Sequence, residues 1–538
     1  MSSTDTSNHY DIVIIGAGFS GVYQLYRLRD LGFRVHLVEA GAGLGGIWHW
    51  NCYPGARVDT HCDIYQFSHE DLWRDWTWSE RFPGWAEMRR YFDYVDEKLG
   101  LSRDVSFNTR VEHAEFDEAN QRWQLSTNQG TALSANFVVV CTGFGSKPYI
   151  PELKGMENFA GEAHHTALWP QTGVNLAGRR VGIIGTGASG IQVAQEACKV
   201  SSHVTVFQRT PNMFLPMGQQ QLTAEDNASK KATWPANFQR RGETFGGFDF
   251  DFIMKSALEY SPAERDAIYE RLWTAGGFNF WLGTFFDIFT NEEANRTAYD
   301  FWRNKVRARI KDPKLADMLA PMEPPHPYAV KRPSLEQWYF DLFNRDNTTL
   351  VSLKETPIEE VLPTGLRTSA GVHEFDLLVF ATGFDAVTGG LTSMDILSAD
   401  RSTTIKDKWR KGVRTQLGVA TSGFPNLLFS YGPQSPSGFC NGPSSAEYQG
   451  ECIVELLVHL RAQGHRRIEA EPAAEQHWRD HIMELAQHTL FPLADSWYMG
   501  ANIPGKQREM LMYPGGLPQY LKEFKASKDQ GYAGFRLS

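Results

Sequence analysis

Paired cysteines are missing from this sequence. Its six cysteines (Cys52, Cys62, Cys141, Cys198, Cys440 and Cys452) are scattered singly, with no CxxC, CxxxxC or Cys/His spacing among them. That excludes a zinc ribbon and a redox-active dithiol, and it fits a reducing compartment. Basic charge is also in short supply, with 53 Lys+Arg against 63 Asp+Glu and a net charge of -10. Nucleic acid and anionic membranes select the opposite sign, so neither is expected as a partner and any cationic site must be local. No uninterrupted apolar run reaches the roughly 18 residues of a membrane helix. The polar start MSSTDTSNHYDI has no basic, apolar, small-residue progression of a secretory signal, so a cytoplasmic protein is expected.

Glycine, by contrast, is placed in two matched patterns. The chain is 538 residues long with 42% hydrophobic and 22% charged residues, enough for two or three globular domains. Near its start, YDIVIIGAGFSGVYQLYRLRDLGFRVHLVEAG reads as an apolar strand at Ile12 to Ile15, a GxGxxG turn (Gly16, Gly18, Gly21), a helix with Val22, Leu25 and Leu28 on one face, Gly32 as its stop, and a second strand from Val35 to Val38. Such a turn lets a pyrophosphate rest on the helix N-terminus, where unpaired N–H groups and the helix dipole favour an anion. Glu39 ends the second strand, placed to accept from ribose hydroxyls.

The unit recurs in RRVGIIGTGASGIQVAQEACKVSSHVTVFQRTP, with Gly185, Gly187 and Gly190, a helix carrying Ile191, Ala194 and Ala197, and a strand at Val204 to Phe207. Glu39 follows Gly16 by 23 positions, and the same interval from Gly185 lands on Gln208. The second site has lost its acid and gained Arg209 and Thr210, a cation and a hydroxyl suited to a ribose phosphate, so NADPH rather than NADH is expected there. Both units close on a strand ending in Thr-Gly-Phe, NFVVVCTGFG and EFDLLVFATGFD, at Thr142 and Thr382. The second interval is longer by about 71 residues, placed in the polar-then-aromatic stretch from about 219 to 325. Within it GFNFWLGTFFDIF (Gly277 to Phe289) reads as helical core or pocket wall. Beyond the second Thr-Gly-Phe come a strand, a Gly/Pro/Ser loop, and a long helix read as starting with a Ser444/Glu447 capping box and stopping at Gly464.

The expected fold is α/β: two Rossmann-like dinucleotide-binding domains, for FAD and NADP, with a mainly helical insertion in the NADP domain. Residues 1–146 form the first part of the FAD-binding domain, 147–385 the NADP-binding domain, and 386–538 the second part of the FAD-binding domain. Short crossings near Gly143 to Pro151 and after Thr382 join them. An unphosphorylated-ribose site followed by an NADPH site is the layout of a flavoenzyme that takes hydride from NADPH. With no CxxxxC the electrons pass to dioxygen or a diffusible carrier.

FAGEAHHTALWP matches FxGxxxHxxxW(P/D) through Phe159, Gly161, His165, Trp169 and Pro170, and this pattern resembles the fingerprint of type I Baeyer-Villiger monooxygenases. GGIWHWNCYPGARVD (Gly45 to Asp59), FQRTP, VKRP (Val330 to Pro333), ATGFD and SWYMGANIPGK (Ser496 to Lys506) resemble further blocks of that family, in its order. The resemblance implies hydride transfer from NADPH to FAD, capture of dioxygen as a flavin peroxide, and attack on a ketone carbonyl to give an ester or lactone. Arg332 then supplies a fixed cation that cannot act as a base, and Asp59 orients it. Lys331, Arg209 and Thr210 contact the ribose 2'-phosphate, and Trp497 reaches the nicotinamide ribose. Gly46, Trp48 and Tyr65 lie with Asp59 around the flavin; Thr186, Ser189, Thr382 and Gly383 complete the cofactor contacts. The loop from Ser496 to Lys506 is expected to order over bound cofactor. His165 is expected to couple domain movement, and neither it nor His164 has metal-ligand spacing, so no metal is expected. A heteroatom oxygenase needs an electrophilic hydroperoxide, and Arg332 argues against that as the main role. The full set of positions argues against a non-catalytic NADPH sensor.

Overall fold

The structure, a computed structural model, describes residues 8–538. Strand His9–Ile15 lies inside an eight-stranded sheet, parallel to Val35–Val38 on one side and to Ala132–Val140 on the other. Ile12, Val13 and Ile14 have no exposed surface, as a parallel strand covered on both faces requires. Helix Phe19–Asp30 follows the first glycine turn, and Gly32 beyond it has φ +80, a conformation glycine adopts without strain. Along its other edge, strand Ala132–Val140 serves two further neighbours. Its first half pairs antiparallel with Arg122–Thr127, and its second half pairs parallel with Leu427–Phe429. Asp395–Ile396 also joins this sheet, against Val111–Asp117. Two segments beyond the second Thr-Gly-Phe therefore extend the sheet begun at His9.

The second sheet has five strands, all parallel, in the order Thr348–Ser352, His203–Gln208, Arg180–Ile184, Leu377–Phe380, Glu162–His165. The two histidines of the FAGEAHH stretch thus belong to an edge strand. Between the sheet's third and fourth strands in sequence the chain builds helices Ala224–Lys231, Trp234–Arg240, Pro262–Ala275, Glu292–Arg307 and Pro313–Leu319. Their starts are written locally: Ser261 and Glu264 form a capping box, and the Asn291 side chain accepts from the backbone N–H groups of Glu293 and Ala294. Phe278, Phe280, Trp281, Leu282 and Phe285 are at most 2% exposed, so the aromatic stretch is interior wall. Among the described residues no helix is long and apolar enough to cross a membrane.

Helix Gly442–Gln463 departs from its expected start. Asn441 is the cap, accepting from Ser444 N–H at 3.1 Å, and Gly464 ends the helix at φ +74. Ser444 instead donates to the Gly247 carbonyl at 2.8 Å. Glu447 is drawn away from the cap by Arg241, 1% exposed, whose Nη2 donates to it at 2.6 Å, and Glu447 also accepts from Ser68 N–H at 2.7 Å. A guanidinium that deeply buried must be paired. Removing one partner of such a pair strands the other charge, so Glu447→Ala should lower unfolding free energy by about 3–5 kcal/mol. The Arg241→Met/Glu447→Leu double variant should recover most of that loss in denaturant titration.

Candidate active site

The two glycine turns show the same division of labour. A Cβ on Gly21 would sit 1.8 Å from the Gly16 carbonyl oxygen, and one on Gly190 would sit 2.1 Å from that of Gly185. Gly16 (φ +102) and Gly185 (φ +110) are themselves pressed against the carbonyls of Cys141 and Ala381. These four positions are fixed by the protein's own packing. The middle glycines are not: a Cβ on Gly18 would meet only the Gly46 Cα at 3.7 Å, and one on Gly187 meets nothing within 4 Å. An open face on a helix N-terminus, where nothing in the protein forbids a side chain, is a cradle for a pyrophosphate. Gly46 (φ +54) closes against Gly18 from the other side.

Glu39 is 4% exposed and accepts from Ala17 N–H at 2.8 Å and Gly41 N–H at 2.6 Å. It fastens the turn and, with roughly four acceptor sites on a carboxylate, keeps capacity for ribose hydroxyls. At the matching place in the second unit Gln208 is turned away, its amide donating to Met318 of the insertion at 2.8 Å. That leaves Arg209, exposed, and Thr210, whose carbonyl accepts from the Thr186 hydroxyl at 3.4 Å. Burial, then the charge of Arg209, lowers the Lys331 ammonium from its usual value, with Asp495 opposing. Burial, then Lys331, pushes His326 down to about 4. Among the described residues neither Lys331 nor Arg209 forms an ion pair. Two adjacent cations with no acid in ion-pair contact suit a dianionic phosphate. Replacing both Lys331 and Arg209 by Ala should raise KM for NADPH about 10- to 100-fold, the worth of charge-assisted hydrogen bonds. Initial-rate kinetics should show KM for NADH changed by less than about twofold.

Arg332 is gripped from three directions. Its Nε and Nη2 donate to Asp59 Oδ2 at 3.1 and 2.8 Å, and its Nη1 donates to the Gly438 carbonyl at 3.0 Å. Its guanidinium lies 4.9 Å from the centre of the Phe278 ring and 5.4 Å from that of Trp281. Burial works against the charge, yet Asp59, with Tyr498 and Tyr431, holds the guanidinium above its ordinary pKa. The sequence pointed to Arg332 and Asp59; it did not point to Gly438, Trp281 or Tyr498, whose contribution depends on how the aromatic stretch and the Gly/Pro/Ser loop meet. Close by, Trp48 Nε1 donates to the Tyr65 hydroxyl at 3.2 Å, and Trp497 stacks on Phe144 at 5.3 Å and 7°.

The fingerprint segment spans the two units. On its first side, a Cβ on Gly161 would stand 2.8 Å from the Asp376 carbonyl and 2.6 Å from the Phe159 ring, so Phe159 can lie flat only over glycine. His164 and His165 pair in register with Val379 and Phe380. His165 is 3% exposed, accepts from Ala167 N–H at 3.0 Å through Nδ1, and meets Phe384 edge-on at 6.1 Å. Burial lowers its imidazole below the usual histidine value, which keeps it neutral. On the far side the carbonyls of Trp169 and Pro170 accept from the Cys52 thiol at 3.5 and 3.8 Å, and Gln171 bonds to Arg89. Among the described residues no three His, Cys, Asp or Glu side chains gather at ligand distance.

Sequence reasoning missed a second bridge. Tyr53 donates to Gln192 Oε1 at 2.8 Å, and a Cβ on Gly55 (φ +81) would stand 2.6 Å from the Gln192 carbonyl. The YPGAR block therefore docks on the second dinucleotide helix as well as carrying Asp59. Thr382 donates to the Tyr149 carbonyl at 2.5 Å, and Tyr149 N–H to that of Gly383 (φ +81) at 2.9 Å, which ties the closing turn to the crossing. The loop expected to order over cofactor is fastened by the protein itself: Lys506 donates to Asp385 at 2.7 Å and to the Ala386 carbonyl at 2.8 Å, and Asn502 to the Phe384 carbonyl at 2.8 Å.

Residues 10–231 match the profile described as pyridine nucleotide-disulphide oxidoreductase. The chain carries that scaffold with all six cysteines free and buried. It is 57% identical over 536 residues to a cyclopentanone 1,2-monooxygenase from Comamonas sp. (strain NCIMB 9872), covering 100% of this chain and 97% of that protein. A closed crystal structure of cyclohexanone monooxygenase superposes with a TM-score of 0.95 at 39% identity, covering 99% of this chain and 100% of the other. A crystal structure of the OTEMO complex with FAD and NADP gives a TM-score of 0.95 at 34% identity, covering 98% and 99%. Two dinucleotide units in this order, an anchored arginine and no dithiol define a flavin- and NADP-dependent oxidoreductase of the oxygen-using class. Within that class the chain belongs to the Baeyer-Villiger monooxygenases.

Proposed function

We propose that this protein inserts one atom of dioxygen into small ketones at the expense of NADPH, giving esters or lactones. When bound, FAD and NADPH supply hydride transfer and oxygen activation; the chain supplies binding, orientation and electrostatics. Gly16, Gly18, Gly21, Glu39 and Gly46 hold the FAD pyrophosphate and ribose, with Trp48, Tyr65 and Asp59 nearer the ring. Gly185, Thr186, Gly187, Ser189 and Gly190 hold NADPH, with Arg209, Thr210 and Lys331 at its phosphate and Thr382, Gly383 and Trp497 toward the nicotinamide. Residues 1–146 with 386–538 then form the FAD-binding domain and 147–385 the NADP-binding domain; the pairing of Leu427–Phe429 with the first sheet supports this division. His165 and the Trp169–Pro170 pair act as a mechanical strap between them. The proposed setting is the cytoplasm.

The observation that carries this reading is Arg332, permanently charged, fixed by Asp59 and Gly438 and walled by Phe278 and Trp281. Such a cation stabilises oxyanions without reorganising at the moment of reaction, and dry aromatic walls increase its effect. The test is stoichiometric. With cyclopentanone, the ketone named for the 57% identical relative, purified protein should consume NADPH and form lactone in a 1:1 ratio. NADPH consumption with hydrogen peroxide as the sole product across cyclic and linear ketones would contradict it.

A further inference from the structure

A ketone under attack needs a hydrogen-bond donor at its own oxygen. As the new C–O bond forms, the π electron pair of the carbonyl moves onto that oxygen, which becomes an oxyanion, and the site must receive it. Arg332 is heavily subscribed: Asp59 and Gly438 take three of its five N–H groups. Its remaining donors also have to face the oxygen donor. The wall around Arg332 holds further donors.

It holds two whose protons have no acceptor. The Tyr498 hydroxyl and the Trp281 indole N–H belong to residues with no exposed surface, and among the described residues neither finds an acceptor for its proton. Buried donors are satisfied in the great majority of cases, and an orphan carries a desolvation cost, so two around one cation ask for a ligand. Tyr498 is the better placed. Its ring packs at 4.9 Å on Phe439, the neighbour of Gly438, and at 5.8 Å on Phe491, and Trp497 beside it stacks on Phe144. Its hydroxyl lies within the field of both Arg332 and Asp59, and burial keeps the phenol protonated. A guanidinium has no lone pair to accept with, so its interaction with Tyr498 engages the phenol oxygen and leaves the phenol proton free to donate.

We infer that the Tyr498 hydroxyl is the hydrogen-bond donor to the substrate carbonyl oxygen, holding it in the ground state and stabilising the oxyanion as the carbonyl is attacked. The proton stays on the phenol throughout; the residue contributes a hydrogen bond and no bond to it is made or broken. This rests on the ketone-oxidising reading, and the experiment separates the two.

Tyr498→Phe keeps the ring and its packing and removes the orphan hydroxyl. Its thermal midpoint, FAD content and rate of flavin reduction by NADPH should match wild type. Its kcat for ketones should fall about 10²-fold, the loss seen when one oxyanion donor is removed. NADPH consumed without ketone oxygenation should appear as hydrogen peroxide. Oxidation of an aryl methyl sulfide, which has no carbonyl oxygen, should stay within about twofold of wild type. Equal loss on ketone and sulfide, or ketone turnover preserved in Tyr498→Phe and lost in Trp281→Phe, would overturn the assignment. If wild type itself formed no ester or lactone, the failure would lie with the underlying reading and not with Tyr498.

Discussion

Arg332→Ala should abolish ester and lactone formation while NADPH oxidation continues, its electrons leaving as hydrogen peroxide. The guanidinium belongs to the oxygenation half of the cycle. Flavin reduction depends on the glycine turns, Lys331 and Arg209, none of which Arg332 holds in place. A fixed, preorganised charge is worth about 10²- to 10³-fold in rate, and here it also orders the donors around it, so a loss of at least 10³ in oxygenated product is expected. Arg332→Lys should recover only part of it. An ammonium keeps the charge, but cannot match the planar fork that reaches Asp59 Oδ2 through two nitrogens and Gly438 through the third. The Asp59 side chain is 34% exposed, so its abandonment should cost less stability than a fully buried pair and the variants should fold. Product analysis by mass spectrometry beside a peroxide assay checks this, and ester formation within about threefold of wild type in Arg332→Ala would refute the role.

Alanine placed at successive glycines of each turn should give opposite results. Gly21→Ala and Gly190→Ala force a methyl to within 1.8 and 2.1 Å of a backbone oxygen that cannot move aside, and each should lower stability by more than about 3 kcal/mol or prevent soluble expression. Gly18→Ala and Gly187→Ala meet nothing closer than 3.7 Å and should fold with near-native thermal midpoints. Their deficits should be confined to the ligand. Gly18→Ala should purify with little FAD, whereas Gly187→Ala should purify fully yellow with KM for NADPH raised about 10-fold or more. Visible spectra and kinetics on the four proteins assign each turn to its cofactor. A Gly18→Ala protein saturated with FAD at native affinity would mean that the first turn does not carry the pyrophosphate.

Much of this was legible in the sequence because it is encoded locally. The periodicity from Ile12 to Glu39, its echo from Val181 to Gln208, and the exchange of an acid for Arg209 all lie within single strand-turn-helix units, where spacing alone settles geometry. Arg332 and Asp59, far apart in the chain, were paired only through the family's blocks; their 2.8 Å contact is a tertiary fact. Illegible features were of the same non-local kind. The Ser444/Glu447 pattern looks like a capping box, but buried Arg241 claims the glutamate. HHTALWP gave no hint of an edge strand, because Glu162–His165 owes its form to Leu377–Phe380, more than two hundred residues on. Tyr53 and Gln192, or Tyr498 and Arg332, come together only through tertiary packing.

The central claim is that one oxygen atom passes from dioxygen into the substrate skeleton beside Arg332. The most direct measurement is turnover of cyclopentanone with NADPH under ¹⁸O₂, followed by mass spectrometry of the lactone. One ¹⁸O atom in the ring position, with the carbonyl oxygen unlabelled, is the predicted result. Lactone without label, or label found only in peroxide and water, would contradict the account.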